Sequence, residues 1–262
     1  MTDGRRLQAG HWLLIGIVVL LIAVGVAIVV RRGDADPVVS GPTQAPSPAA
    51  AASPAPRPDC SPQITGTWVD AAKAKYGFVY RSRCDQVVRR LQFRVAALGP
   101  DGDEVSTADD IASGGVLFPG GELATAGDLQ VAEDQKLSGL KVQVIDFAAY
   151  APRDFSGWAK PEAVDLHRGR PDSLGAFEIT ADVRAEPPAA PVCVNEIVLV
   201  LRDAAGKIVY ADADPAVGVT RLKPSFQVPP IAGLDFTRTE IYLPQTPRTE
   251  RPPTDGVSCD GR

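Results

Sequence analysis

The chain has 262 residues, 45% of them hydrophobic and 23% charged, with a net charge of −5 and four cysteines. Beyond residue 59 acidic residues outnumber basic ones, which argues against nucleic acid as a partner and gives little grip on an anionic lipid surface. The length beyond that point suffices for one large or two small domains.

Residues 1–11 carry Arg5 and Arg6 and precede a nineteen-residue run, Trp12 to Val30, without a charge. As a helix it would be about 28 Å long, close to the hydrocarbon thickness of a bilayer. The run is apolar on every side, unlike the one-faced stripe of a helix in a soluble core. A cleaved signal peptide has a shorter apolar run and a small-x-small cleavage site, whereas this one ends in Val29-Val30-Arg31-Arg32. The expectation is an uncleaved, single-pass anchor over 12–30. Basic residues flank both ends almost equally, so the positive-inside rule alone leaves orientation open. The short N-terminal flank and the cysteine-bearing bulk favour residues 1–11 in the cytoplasm and the rest outside the cell membrane.

Residues 31–59 form a tether rich in proline and alanine, with Pro46-Ser47-Pro48 and Pro54-Ala55-Pro56-Arg57-Pro58. Such a stretch buries too little apolar surface to fold, and extends at about 3.1 Å per residue.

A first β module is expected over 60–150. Gly77 to Tyr80 and Val87 to Leu98 have strand composition, and Leu91, Phe93 and Val95 alternate with Gln92 and Arg94. Turns follow at Gly99-Pro100-Asp101-Gly102 and Pro119-Gly120-Gly121, then short strands at Leu129 to Val131 and Leu140 to Phe147. Residues 151–172 read as a connector, with Phe155 and Trp158 lying against one module. A second module over 173–245 carries strands at Ala176 to Val183, at Glu196 to Leu201, which reads as more buried, and at Lys207 to Tyr210 after an Asp203 to Gly206 turn. Residues 246–262 form a polar, proline-rich tail, loose except near Cys259.

The two modules match in outline. Gly102 aligns with Gly206, Leu129-Gln130-Val131 with Phe226-Gln227-Val228, and Val142-Gln143-Val144 with Thr239-Glu240-Ile241. The spacing points to a tandem duplication. Short strands with frequent turns and no long amphipathic helix make the fold class all-β: two tandem antiparallel sandwiches after one N-terminal transmembrane helix. This strand–turn–strand pattern, with a proline-containing loop and a last alternating strand, resembles the immunoglobulin-like FxLYD family, small bacterial surface modules that often follow a membrane anchor. Ile241-Tyr242-Leu243 is the nearest counterpart of the Phe-x-Leu-Tyr-Asp string. The resemblance implies an immunoglobulin-like fold and no defined chemistry. Usage rich in Ala, Pro, Asp and Arg fits a bacterium of high GC content.

Cys60, Cys84, Cys193 and Cys259 form no C-x-x-C pair and no finger-like set with histidine, so zinc is disfavoured. Two disulfides are expected outside the cytoplasm. The sequence-local pairing is Cys60–Cys84 with Cys193–Cys259; the crossed alternative is Cys60–Cys259 with Cys84–Cys193.

No catalytic, cofactor or metal residues are expected. His167 is the one histidine beyond the anchor, and no G-x-S-x-G elbow accompanies it. Carboxylates at Asp101-Asp103-Glu104, Asp109-Asp110 and Asp212-Asp214 lack the EF-hand pattern, and Asp-Gly is an ordinary turn dipeptide. Gly114-Gly115 and Gly120-Gly121 read as turn glycines rather than phosphate loops. Arg81, Arg83, Arg89, Arg90 and Arg94 crowd one stretch, which would suit an acidic partner or glycan but reads first as a solvated strand face. The expectation is a non-catalytic binding or accessory protein with an unknown protein or glycan partner. The alternative is a structural spacer or accessory subunit of a membrane or cell-envelope complex.

Overall fold

A computed structural model describes residues 59–106, 110–132, 135–188, 192–194, 196–215 and 223–245. The expected anchor at 12–30, its tether, the tail and Cys259 lie outside the described residues. Among the described residues no helix is long and apolar enough to cross a membrane.

The described residues are all-β, built from twelve strands and two short 3₁₀ turns. The first six strands are β1 (Gln63–Asp70), β2 (Lys75–Arg81), β3 (Val87–Leu98), β4 (Asp110–Ser113), β5 (Glu122–Asp128) and β6 (Gly139–Tyr150). The second six are β7 (Lys160–Arg168), β8 (Phe177–Glu186), β9 (Glu196–Arg202), β10 (Ile208–Pro215), β11 (Ser225–Val228) and β12 (Glu240–Tyr242). They form four three-stranded antiparallel sheets, ordered β1-β2-β5, β4-β3-β6, β11-β8-β7 and β10-β9-β12. Adding six to each strand number of the first pair of sheets yields the second pair. Strand pairing therefore repeats without exception across the two sets. Strand-to-strand, Gly102 and Gly206 occupy corresponding turns, each at φ +84.

Three apolar clusters set the sheets in layers. Tyr76, Phe78 and Tyr80 of β2 meet Leu91, Phe93 and Val95 of β3 in the first, with the Phe78 and Phe93 rings edge-to-face at 4.9 Å. Phe177 and Ile179 of β8, Leu199 and Leu201 of β9, and Phe226 and Val228 of β11 fill the second. The third joins the two sets: Val79, Ala124 and Ala126 pack on Val198, Val200, Ile208 and Ala211. Sheets β1-β2-β5 and β10-β9-β12 are thus covered on both faces. That is why Phe78-Val79-Tyr80 and Val198 to Leu201 are buried continuously rather than at every second residue.

Several sequence expectations change. Residues 160–168, read as connector, form β7, a charged, proline-containing edge strand whose half-buried face carries little apolar signal. Leu129 to Val131 is not a strand. The strand lies just before it, in the Ala- and Gly-rich β5, whose small residues face the other set; Val131 makes a single bridge to Ser106. Phe155 and Trp158 do lie against the first set, beside Val87 and Val116.

Cys60 and Cys84 are bridged, with Cα atoms 5.2 Å apart, as the sequence-local pairing requires. This excludes the crossed alternative. Cys193 is also disulfide-bonded, and its expected mate, Cys259, lies outside the described residues.

Candidate binding surface

The sheet β4-β3-β6 buries one face in the first core and turns the other to solvent. Its central strand carries Arg90, Gln92 and Arg94 outward between buried Leu91, Phe93 and Val95. Two compensating irregularities interrupt the β3–β6 ladder: Arg90 and Leu91 oppose Phe147 alone, and Ile145 is the extra residue between Val144 and Asp146. Arg90 adopts φ +53, a conformation most side chains avoid. Bulges of this kind bend a strand and re-aim its side chains.

Beside the bulge lies a hollow of about 310 Å³, lined by Arg90, Gln92, Ser113, Asp146 and Gln245 among others. Gly114 and Gly115 form one wall, and neither is the turn glycine expected from sequence. A Cβ at residue 114 would come within 2.8 Å of Leu91 Cβ and 2.9 Å of the Tyr80 hydroxyl, and one at residue 115 within 2.7 Å of Pro244. Both glycines admit close approach; Gly120, at φ +69, is the turn residue.

Gln245 closes the hollow's floor at 2% exposure. Its Nε2 donates to the Ala159 carbonyl, its Oε1 accepts from Cys193 N at 3.3 Å, and its own carbonyl accepts from Val116 N at 2.7 Å. One residue, through its buried side chain and its own carbonyl, thereby ties β7's approach, the Cys193 segment and the β4–β5 loop. Nothing in the sequence singles it out, because a lone glutamine carries no pattern.

The five arginines do not form one patch. Arg81 pairs with Glu122 at 2.8 Å and Arg94 with Glu104 at 2.9 Å. Arg89, 6% exposed, lies over the rings of Tyr150, Phe155 and Trp158 at 5.5–5.9 Å from their centroids, a buried cation held by aromatic faces. Arg83 and Arg90 are exposed. The solvated or paired strand face, rather than a concentrated basic site, describes this stretch.

Glu104 and Asp212 are likewise spent on structure. Glu104 takes Lys141 at 2.7 Å and Arg94 at 2.9 Å, and the Lys141 hydrogen bond, foremost, holds its carboxyl below the usual range. Asp212 takes Lys75 at 2.9 Å and the Tyr210 hydroxyl at 3.1 Å. Asp109 lies outside the described residues. Among the described residues no three His, Cys, Asp or Glu side chains converge on a metal position.

His167 lines a shallow depression of about 450 Å³ with Asp165, Thr180, Asp182, Lys223 and Ser225. A histidine, carboxylates and a serine therefore share one face of sheet β11-β8-β7. The serine is turned to another partner: Ser225 Oγ donates to Glu178 Oε1 at 2.6 Å. His167, Asp165 and Asp182 are all exposed, so the depression offers neither the desolvation nor the base-to-nucleophile bond that acyl transfer needs.

A third hollow, of about 440 Å³, lies between the two sets of strands, with Trp68 of β1, Ser138 to Leu140 at the start of β6, Lys207 to Val209 at the start of β10 and Ile231 on its walls. Nearby, Trp68 and Tyr210 pack at 5.7 Å, and Tyr242 donates to Glu122 across the two sets at 3.1 Å. Burial, and then the Glu240 and Glu122 charges, raise the Tyr242 hydroxyl well above its ordinary value. Burial pushes the Glu196 carboxyl up, to about 6. No family model, curated protein or solved structure matches the chain.

Proposed function

We propose that this chain is a non-catalytic, membrane-anchored binding or accessory protein, made of two tandem immunoglobulin-like sandwiches of the FxLYD kind held outside the cell membrane by residues 12–30. The observation that carries the reading is the repeated strand pairing, β1-β2-β5 with β4-β3-β6 and then β7-β8-β11 with β10-β9-β12. Immunoglobulin-like sandwiches place first, second and fifth strands in one sheet and the third beside the sixth in the other. The Cys60–Cys84 bridge supports an oxidising compartment, and the uncharged run at 12–30 supports the anchor. Work falls to an exposed face or edge rather than to a deep cleft.

The third apolar cluster favours the second reading, a spacer or accessory subunit of an envelope complex. It joins the two sets through buried small residues rather than leaving them as beads on a linker. Purification of the full-length protein from native membranes in mild detergent tests both readings. A stoichiometric membrane partner supports the accessory subunit, and recovery without one supports a transient or soluble ligand. Recovery of the intact chain in the soluble fraction overturns the anchored reading.

A further inference from the structure

We propose that the hollow beside the β3 bulge binds a neutral, polyhydroxylated ligand, a saccharide; this rests on the binding-protein reading above and gives that reading a ligand class. Three side chains stand in one row across the outward face of sheet β4-β3-β6. Ser113 of β4 and Asp146 of β6 are the register partners of Gln92 on β3, one on each side. All three are exposed and line the hollow. Adjacent strands lie about 4.8 Å apart, so the row presents a hydroxyl, an amide and a carboxylate over about 10 Å. Among the described residues these three side chains have no hydrogen-bond or ion-pair partner. Two residues along β3, by contrast, Arg94 is paired with Glu104, which also takes Lys141.

The hollow is built by the backbone. β4 stops at Ser113, and the chain turns inward through Gly114 and Gly115, both buried and with no room for a Cβ. On its other side the bulge holds Arg90 at φ +53. Such a conformation is costly for a side chain with a Cβ, and residues held in it cluster at binding and catalytic sites. The volume of about 310 Å³ is at the small end of the range for ligand sites, about 300–1,000 Å³.

The internal repeat argues for a polar occupant. Val144 and Ile241 correspond in the repeat and pair with Phe93 and Leu199. Gln92 and Arg94 of β3 therefore correspond to Val198 and Val200 of β9. In the second set that face packs on the apolar face of the first. In the first set the same face is polar, and covering it with an apolar sheet would leave its polar groups without hydrogen bonds. Charge narrows the choice. Arg90 and Asp146 share the hollow, so an anion is attracted by one and repelled by the other, and a cation likewise. A neutral ligand rich in hydroxyls avoids both conflicts. It can accept from the Gln92 amide and donate to the Asp146 carboxylate, while the Ser113 hydroxyl does either.

The test is saturation-transfer NMR on the full-length protein in detergent, with cellobiose, maltose, lactose and chitobiose as probes and the dipeptide Ala-Ala as a zwitterionic comparison. At least one sugar should receive magnetisation. Gln92→Ala and Asp146→Ala should each cut that signal at least about fivefold, and Glu162→Gln on exposed β7 should leave it unchanged. All three substitutions are at exposed positions, and circular dichroism checks that each variant keeps its strands. Silence from all four sugars overturns the proposal, as does a sugar signal that the two hollow variants leave intact. A signal from Ala-Ala alone also overturns it and makes the row a site for peptide ends. Silence from the sugars together with a membrane partner recovered at equal stoichiometry removes the saccharide site but not the accessory role.

Discussion

Gly77 of β2 lies directly against Ala211 of β10, so close that a Cβ on residue 77 would overlap the alanine methyl. The two residues belong to different sets of six strands, and their contact fixes how near the two central sheets can come. Ala124, Ala126 and Ala211 around it are small and buried, as close face-to-face packing requires. Gly77→Ala should therefore destabilise by about 1–3 kcal/mol through overpacking. Ala211→Gly in the same chain should return part of that loss by removing the opposing methyl. Chemical denaturation of the single and double variants checks both, and equal stability of Gly77→Ala and the parent would refute the close contact.

Gln245 predicts a second effect. Its amide side chain is buried and bonded at both ends, to the Ala159 carbonyl and to Cys193 N. Gln245→Ala removes both of those buried hydrogen bonds and should cost about 1–3 kcal/mol. Gln245→Glu should be at least as harmful, because a carboxylate cannot donate to the Ala159 carbonyl. Thermal melts of the two variants rank the losses.

Glu196 makes stability depend on pH. Burial raises its carboxyl to about 6 in the folded state, above the unfolded value near 4.5. The folded chain thus binds the proton more tightly. The stabilisation is full below about 4.5 and is lost as pH rises through about 6, a change on the order of 2 kcal/mol. Glu196→Gln should flatten that window and raise stability at pH 7. Denaturation midpoints between pH 4 and 8 show whether the slope disappears; an unchanged slope would assign it to another group.

Opening the Cys60–Cys84 bridge removes a constraint across a separation of 24 residues. Cys60→Ser with Cys84→Ser should cost about 2–4 kcal/mol. Because Cys60 is 1% exposed while Cys84 is only partly buried, the loss should exceed that of a surface cross-link. Comparing denaturation of the double variant with the parent measures it.

The sequence displayed those strands whose apolar pattern matches their environment. Leu91, Phe93 and Val95 alternate because β3 has one wet face, and Ile197 to Leu201 run unbroken because β9 has none. The repeat was legible through turns that need glycine, Gly102 and Gly206. β5 was hidden because its seam-facing positions are alanines that pack on the other set, so neither propensity nor period marks it. β7 was hidden because an edge strand with one half-buried face can be mostly charged. The arginine run showed its charge but not its partners: Glu122, Glu104 and the three aromatic rings come from elsewhere in the chain. Gln245 and Glu196 gain their roles only from burial, which one residue's identity does not announce.

The central claim is that a folded, disulfide-bonded unit stands outside the membrane on the anchor at 12–30. The most direct measurement is labelling of intact cells with a membrane-impermeant amine reagent, followed by mapping of the modified lysines. The account predicts modification of exposed lysines such as Lys136 and Lys160 before lysis, to the same extent as after it. Modification only after lysis would place the β-rich unit inside the cell and contradict the account.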